Sequence, residues 1–170
     1  MTSLFDHQHD CFLADYHNPK HEQAILKLLD LYAQDPMGGG QPLSNEVKKK
    51  LVPELTKLPH AFSVLCFVAD QPAGLANCFT GFSTFACKPL VNVHDLTVHP
   101  DFRSAGLSQA LLQYIEDYAA RTGCCKITLE VLQGNDIARR AYSKFGFEPY
   151  QLGTSHGFGQ LMEKKLAEID

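Results

Sequence analysis

Two hydrophobic periodicities divide the chain. Ile25, Leu28, Leu29 and Tyr32 fall at the i, i+3, i+4, i+7 spacing of one helix face, with Asn18 placed as a cap and Pro19 at the first helical position. The stripe stops at "DPMGGGQP", where Pro36 and the glycines Gly38 to Gly40 cannot continue a helix. Ser44 then caps a second helix, "NEVKKKLVPELTKL", which Pro53 limits or kinks. A short strand around Cys11 to Tyr16 precedes both.

From Ala61 the apolar run turns β-rich. "AFSVLCFVA", "LANCFTGFSTFA" and "LVNVHDLTV", separated by turns at "DQPAG" and "CKP", predict a three-stranded antiparallel meander. A helix follows with Leu107, Leu111, Ile115 and Tyr118 on one face and Gly123 as its stop. "CCKITLEVL" then reads as a buried strand, and Asn135 caps the helix "DIARRAYSKF", which Gly146 ends. "FEPYQL" and "FGQLMEKKL" read as closing strands. The order is β-α-α-β-β-β-α-β-α-β-β, an α/β (α+β) chain with no internal repeat, expected to form a single domain over residues 1–170.

Composition narrows the partners. At 170 residues, 45% hydrophobic and 20% charged, the chain can bury one substantial core. A formal net charge of −4 offers no general attraction to nucleic acid or to an anionic membrane. Lys48 to Lys50 read as a solvated helix face, and with Arg139 and Arg140 they lack the aromatic interleaving of a nucleic-acid binder. The start lacks a basic region followed by an apolar stretch, and no run of about 18 apolar residues occurs, so a cytoplasmic protein without a membrane partner is expected. Six cysteines without a Cys-x-x-Cys pair suit free thiols. His7, His9, His17 and His21 have no accompanying set with zinc-like spacing, so no metal is expected.

The chemistry-bearing stretch is "DFRSAGLSQALL". Free N–H groups at a helix start, a glycine permitting close approach and Arg103 nearby suit a diphosphate, yet the same residues describe an ordinary turn. Its surroundings point further. "LTVHPDFRSAGLSQALL", "KITLEVLQGN" and "NDIARRAYSKFGF", in this order of elements, resemble the GNAT superfamily of acyl-CoA-dependent N-acyltransferases. The likeness spans essentially the whole chain and is strongest from Val91 to Tyr150. Ser108 stands where the family's loop carries Gly or Ala. The resemblance implies a central mixed, mostly antiparallel sheet of about six to seven strands flanked by about four helices.

The resemblance also implies acetyl-CoA as co-substrate. The pyrophosphate would meet the N–H groups of Ser104, Ala105, Gly106, Leu107 and Ser108, aided by Arg103. The backbone of Leu96 would polarise the thioester carbonyl, and the Thr97 and Val98 stretch would run beside the pantetheine arm. Asn135 would touch the cofactor as well as cap its helix. Tyr142 takes the place of the family's general acid, although Ala138, Tyr142 and Phe145 by spacing alone read as core.

An alkyl ammonium with a pKa of about 10.4 must lose a proton before attack, so a base is needed. Strict alternation places Asn92, His94, Leu96 and Val98 on one side of their strand and Val93, Asp95 and Thr97 on the other. His94 is the first candidate base and Asp95 the second; a His94 satisfied by a backbone carbonyl is the plain alternative. The Gly38–Gly40 stretch falls where the family lines its acceptor side, as a fold-over loop or a simple linker. A small-molecule amine of amino acid, diamine or polyamine type is the first acceptor class, and a protein lysine or N-terminus the second. A non-catalytic acyl-CoA-binding domain is the competing reading. The β-rich end, "GFGQLMEKKL", suits pairing into a homodimer.

Overall fold

The computed structural model describes residues 9–151 and 157–166. Its elements are β1 (His9–Leu13), α1 (Pro19–Gln34), α2 (Asn45–Thr56), β2 (Ala61–Val68), β3 (Gln71–Ser83), β4 (Lys88–Val98), α3 (Leu107–Arg121), β5 (Ile127–Leu129) and α4 (Asp136–Phe145). The expected caps form: Asn18, Ser44 and Asn135 accept from the N–H groups of Lys20, Val47 and Ala138. The strands make one mixed sheet in the order β1-β2-β3-β4-β5. The first four pair antiparallel and β5 joins β4 in parallel, with α3 as the crossover that a parallel pair requires.

Two layers cover the sheet. On one face Leu107, Leu111 and Ile115 of α3 pack against Val64, Cys66, Ala76 and Val91. On the other, Ala24, Ile25 and Leu28 of α1 and Val52 of α2 pack against Leu65, Phe67 and Leu75. Asp30 joins the two helices on that side: it accepts from the Leu43 N–H at 2.8 Å and pairs with Lys48 at 2.8 Å. The bond from Lys48 is the largest influence holding the Asp30 carboxyl below the usual carboxylate range. Lys48 is therefore engaged with α1, whereas Lys50 makes an i,i+4 pair with Glu46 on the surface.

Among the described residues the sheet has five strands, where six to seven were expected. "FEPYQL" and "FGQLMEKKL" form no strand among the described residues; they contribute a single bridge, Gln151 to Phe158, and Leu152 lies outside the described residues. Pro149 removes a backbone donor from the first of these stretches, and three-residue β5 offers little edge to the second. Leu161 and Met162 accordingly stay exposed. The first strand ends at Leu13, short of the predicted Tyr16. The Asp15 carboxylate accepts from the His17 N–H at 2.9 Å, turning the chain and freeing the Tyr16 hydroxyl to meet Ser63 at 2.9 Å.

One irregularity reorders β4. Asn77 of β3 stands opposite Asp95, but its neighbour Cys78 stands opposite Val93, which leaves His94 as an extra residue. Strict alternation therefore fails at His94. Val91 and Val93 belong to the α3-side core and, past the bulge, Leu96 and Val98 pack on that same core. Asp95 and Thr97 face the α1 side with their partners Asn77 and Leu75.

The α3 layer depends on Leu111, which is fully buried. Leu111→Ala is expected to cost about 2–5 kcal/mol in urea unfolding, with the far-UV circular dichroism of the folded state unchanged. A loss below about 1 kcal/mol would show that this side chain does not anchor the layer.

Candidate active site

The site begins where two strands part. Val91 donates to the Lys126 carbonyl at 3.1 Å, and pairing of β4 with β5 ends at Val93 and Leu129. β4 runs on to Val98 without a neighbour on that edge among the described residues. His99 donates to Ala73 at 2.8 Å across the β3 side, so antiparallel alternation turns the Thr97 N–H toward β3 and those of Leu96 and Val98 toward the open edge. That edge thus carries the two backbone donors of Leu96 and Val98.

The start of α3 lies just beyond the end of that strand. Ser104 and Gly106 take positive φ values of 67° and 80°, and Gly106 caps α3 without a side-chain bond. A Cβ at Gly106 would meet nothing within 4 Å, so its need for glycine comes from the backbone angle. The N–H groups of Ser104 to Ser108 donate to no acceptor among the described residues. Five unengaged donors at a helix N-terminus fit an anion of pyrophosphate type. Leu107 is buried, so it can offer its N–H alone.

Arg103 does not stand free. Its guanidinium bonds Asp35 at 3.1 Å, linking the α3 loop to the end of α1. Asp35 also accepts from the Met37 N–H at 2.9 Å, and its carbonyl takes the N–H groups of Gly38 and Gly40. The Met37 bond first, then Arg103 against the opposing effect of burial, holds the Asp35 carboxyl below the usual carboxylate range. The glycine loop is therefore an organised turn. At Gly38 a Cβ would collide with the Tyr32 carbonyl, which explains one of its glycines by close approach.

Tyr32 stands on the last turn of α1, near enough to Asp95 and Asp35 to feel their charges. Burial raises its phenol above the ordinary value, with the charges of Asp95 and Asp35 adding to it. Tyr142 of α4 is pushed up to about 12, by burial first and then by Tyr32. Its ring packs edge-on against Phe147 at 5.9 Å. The two candidate bases are neighbours: His94 Nδ1 lies 3.6 Å from Asp95 Oδ1, with the His94 side chain 64% exposed and that of Asp95 23%. Asn92 instead bonds Thr128 of β5 at 3.2 Å. Asn135 caps α4 as expected.

Asp35, Tyr32, Ser63 and Asn77 were not among the sequence candidates. Tyr32 and Ser63 read as members of a helical stripe and of an apolar strand, and only Asp35, next to the glycine run, carried a local signal. Among the described residues no group of three or more His, Cys, Asp or Glu is placed to hold a metal, and no helix is long and apolar enough to cross a membrane.

Residues 25–147 match the family model described as "Acetyltransferase (GNAT) family". Among solved structures, the chain is similar to a probable acetyltransferase with 18% identity and a TM-score of 0.75, covering 91% of this chain and 99% of that one. It is similar to the ribosomal-protein-alanine N-acetyltransferase from Brucella melitensis biovar Abortus 2308 with 18% identity, a TM-score of 0.65 and coverage of 86% and 100%. A structure of AAC(6')-Iy in complex with the bisubstrate analog CoA-S-monomethyl-acetylneamine shares 16% identity and a TM-score of 0.69, over 90% of this chain and 99% of that one. At identities of 16 to 18% the likeness is one of fold.

The raised phenol of Tyr142 has a measurable consequence at alkaline pH. The folded group keeps its proton to about 12, while in the unfolded chain it ionises near 10. The folded state then binds more protons than the unfolded one across that window, so stability falls as pH rises through it. Tyr142→Phe should lose less stability between these pH values than the parent in parallel urea titrations. Equal losses would show that Tyr142 titrates as a solvated phenol.

Proposed function

The chain belongs to the acetyltransferase (GNAT) family, and we propose that it moves an acetyl group from acetyl-CoA to a primary amine of a small molecule. The observation that carries this reading is the open β4 edge ending beside the five unengaged N–H groups of the α3 loop. That combination suits a ligand with a diphosphate at one end and an extended amide-bearing arm at the other.

Acetyl-CoA supplies an acyl group on a thiolate leaving group. The Ser104–Ser108 donors and Arg103 bind its pyrophosphate, Arg103 exchanging its bond to Asp35 for one to phosphate. Val98 pairs with the arm, and the Leu96 N–H polarises the thioester carbonyl. His94 and Asp95 together take the proton of the attacking amine, His94 being the more exposed of the two. The new C–N bond forms as the C–S bond breaks, and the Tyr142 hydroxyl, kept protonated by its burial, gives a proton to the departing sulfur. Tyr32 and the Asp35 turn border the acceptor side. A free protein N-terminus is the second reading, favoured by the similarity to a ribosomal-protein-alanine N-acetyltransferase.

Two outcomes test the proposal. CoA is expected to raise the melting temperature with concentration, by about 2.7 kcal/mol of stabilisation at 100 times its Kd, and Arg103→Ala to shift that dependence to higher CoA. Pantetheine, which lacks the pyrophosphate, should stabilise far less. An unchanged melting temperature at saturating CoA would remove the cofactor assignment.

Thiol release from acetyl-CoA, followed with amino acids, diamines, aminoglycosides and a short peptide, identifies the acceptor. With the preferred amine, Tyr142→Phe is expected to lower kcat by about 10- to 10⁴-fold and leave CoA affinity intact. Normal turnover in that variant would reject Tyr142 as the acid, and release without any amine dependence would reject transfer to an amine.

A further inference from the structure

A row of polar side chains crosses the α1 face of the sheet where apolar ones would pack. Tyr16 meets Ser63 at 2.9 Å, Ser63 meets Asn77 Oδ1 at 2.7 Å, and Asn77 Nδ2 meets Asp95 Oδ2 at 3.0 Å. Ser63 and Asn77 are 1% and 4% exposed, and their strand neighbours Val64, Leu65, Leu75 and Ala76 are fully buried. We propose that Tyr16, Ser63 and Asn77 form a positioning string that fixes the Asp95 carboxylate and aims its second oxygen at His94 and the acceptor amine. The proposal rests on the transferase reading for its catalytic consequence.

The direction of the string follows from hydrogen-bond inventory. A carboxylate only accepts, so Asn77 turns its nitrogen to Asp95 and its oxygen to Ser63. Ser63 has one hydroxyl proton, spent on that oxygen, so Tyr16 must donate to Ser63. Burial keeps the Tyr16 phenol protonated beyond its ordinary range. Every donor therefore points toward Asp95, and bonds arranged head to tail polarise one another. An amide link does not relay protons readily, so the string orients and polarises; it is not a wire.

The position of its far end is set by the bulge. Because His94 is the extra residue, Asp95 falls opposite Asn77 on the α1 face. One Asp95 oxygen is thereby held, and the other lies 3.6 Å from His94 Nδ1. Buried polar groups of this kind are poor sources of stability, since apolar residues of the same shape serve a sheet interior as well. What the string provides is the aim of a carboxylate.

The test uses the full chain with Tyr16→Phe, Ser63→Ala and Asn77→Leu, each alone and combined with Asp95→Asn. With the preferred amine, Asn77→Leu should lower kcat about 10-fold and the other two less, with the KM for acetyl-CoA within about twofold. Those losses should vanish in the Asp95→Asn background, and Ser63→Thr, which keeps the hydroxyl, should restore the rate. Equal losses in both backgrounds would mark the string as structural only and overturn the proposal.

A second readout does not depend on turnover. The ¹³C carboxyl resonance of Asp95, assigned by its absence in Asp95→Asn, should shift in Tyr16→Phe, a substitution at the half-buried end that leaves the core intact. An unmoved resonance overturns the string even in an active enzyme. A shifted resonance in a protein that transfers nothing to any amine supports the string and rejects the transferase reading instead.

Discussion

One residue too many in β4 governs the site. Without the extra residue at His94, Asp95 would turn toward α3 with Val91 and Val93, and a carboxylate would enter an apolar layer at heavy desolvation cost. With it, the strand changes phase and continues to pack Leu96 and Val98 on the α3 core, while Asp95 reaches Asn77 on the opposite face. The same local kink comes at the first residue of the free edge, just after pairing with β5 ends at Val93. A bulge thus links three features that look separate: the facing of the carboxylate, the exposure of the histidine and the opening of the strand edge.

The second organising contact is the Arg103–Asp35 pair. Half-exposed ion pairs contribute about 0–1 kcal/mol, so this one holds little of the fold together. Its importance is positional. Asp35 builds the turn after α1 and brings Arg103 of the α3 loop onto that turn, so the two loops are joined through the Arg103 guanidinium. Tyr32 of α1 and Tyr142 of α4 lie near one another, Tyr32 adding to the rise of the Tyr142 phenol. The Arg103–Asp35 pair and the influence of Tyr32 on Tyr142 thus couple α1, the α3 loop and α4, elements remote in sequence, around a sheet whose two faces carry apolar layers.

The C-terminal stretch shows how far patterning reaches. Its residues have strand-like composition, yet a strand exists only where a neighbour supplies an edge, and β5 pairs along three residues. Among the described residues the lower strand count goes with Pro149 and the short β5, and the α/β class and the order of the remaining elements are as the periodicities predict.

The sequence by itself determined what is local. Helical and strand periods, the caps Asn18, Ser44 and Asn135, the stop at the glycine run and the donor-rich loop from Arg103 to Ser108 are each written within a few adjacent residues, because backbone preference and capping act over one or two turns. The family-bearing motif was legible for the same reason. Only the tertiary structure decided which face Asp95 takes, that Arg103 lies against Asp35 some 68 residues away, and that Ser63 and Asn77 complete a chain from Tyr16. Those outcomes depend on sheet register, and one extra residue reverses every side chain beyond it, a change that no local pattern around His94 announces.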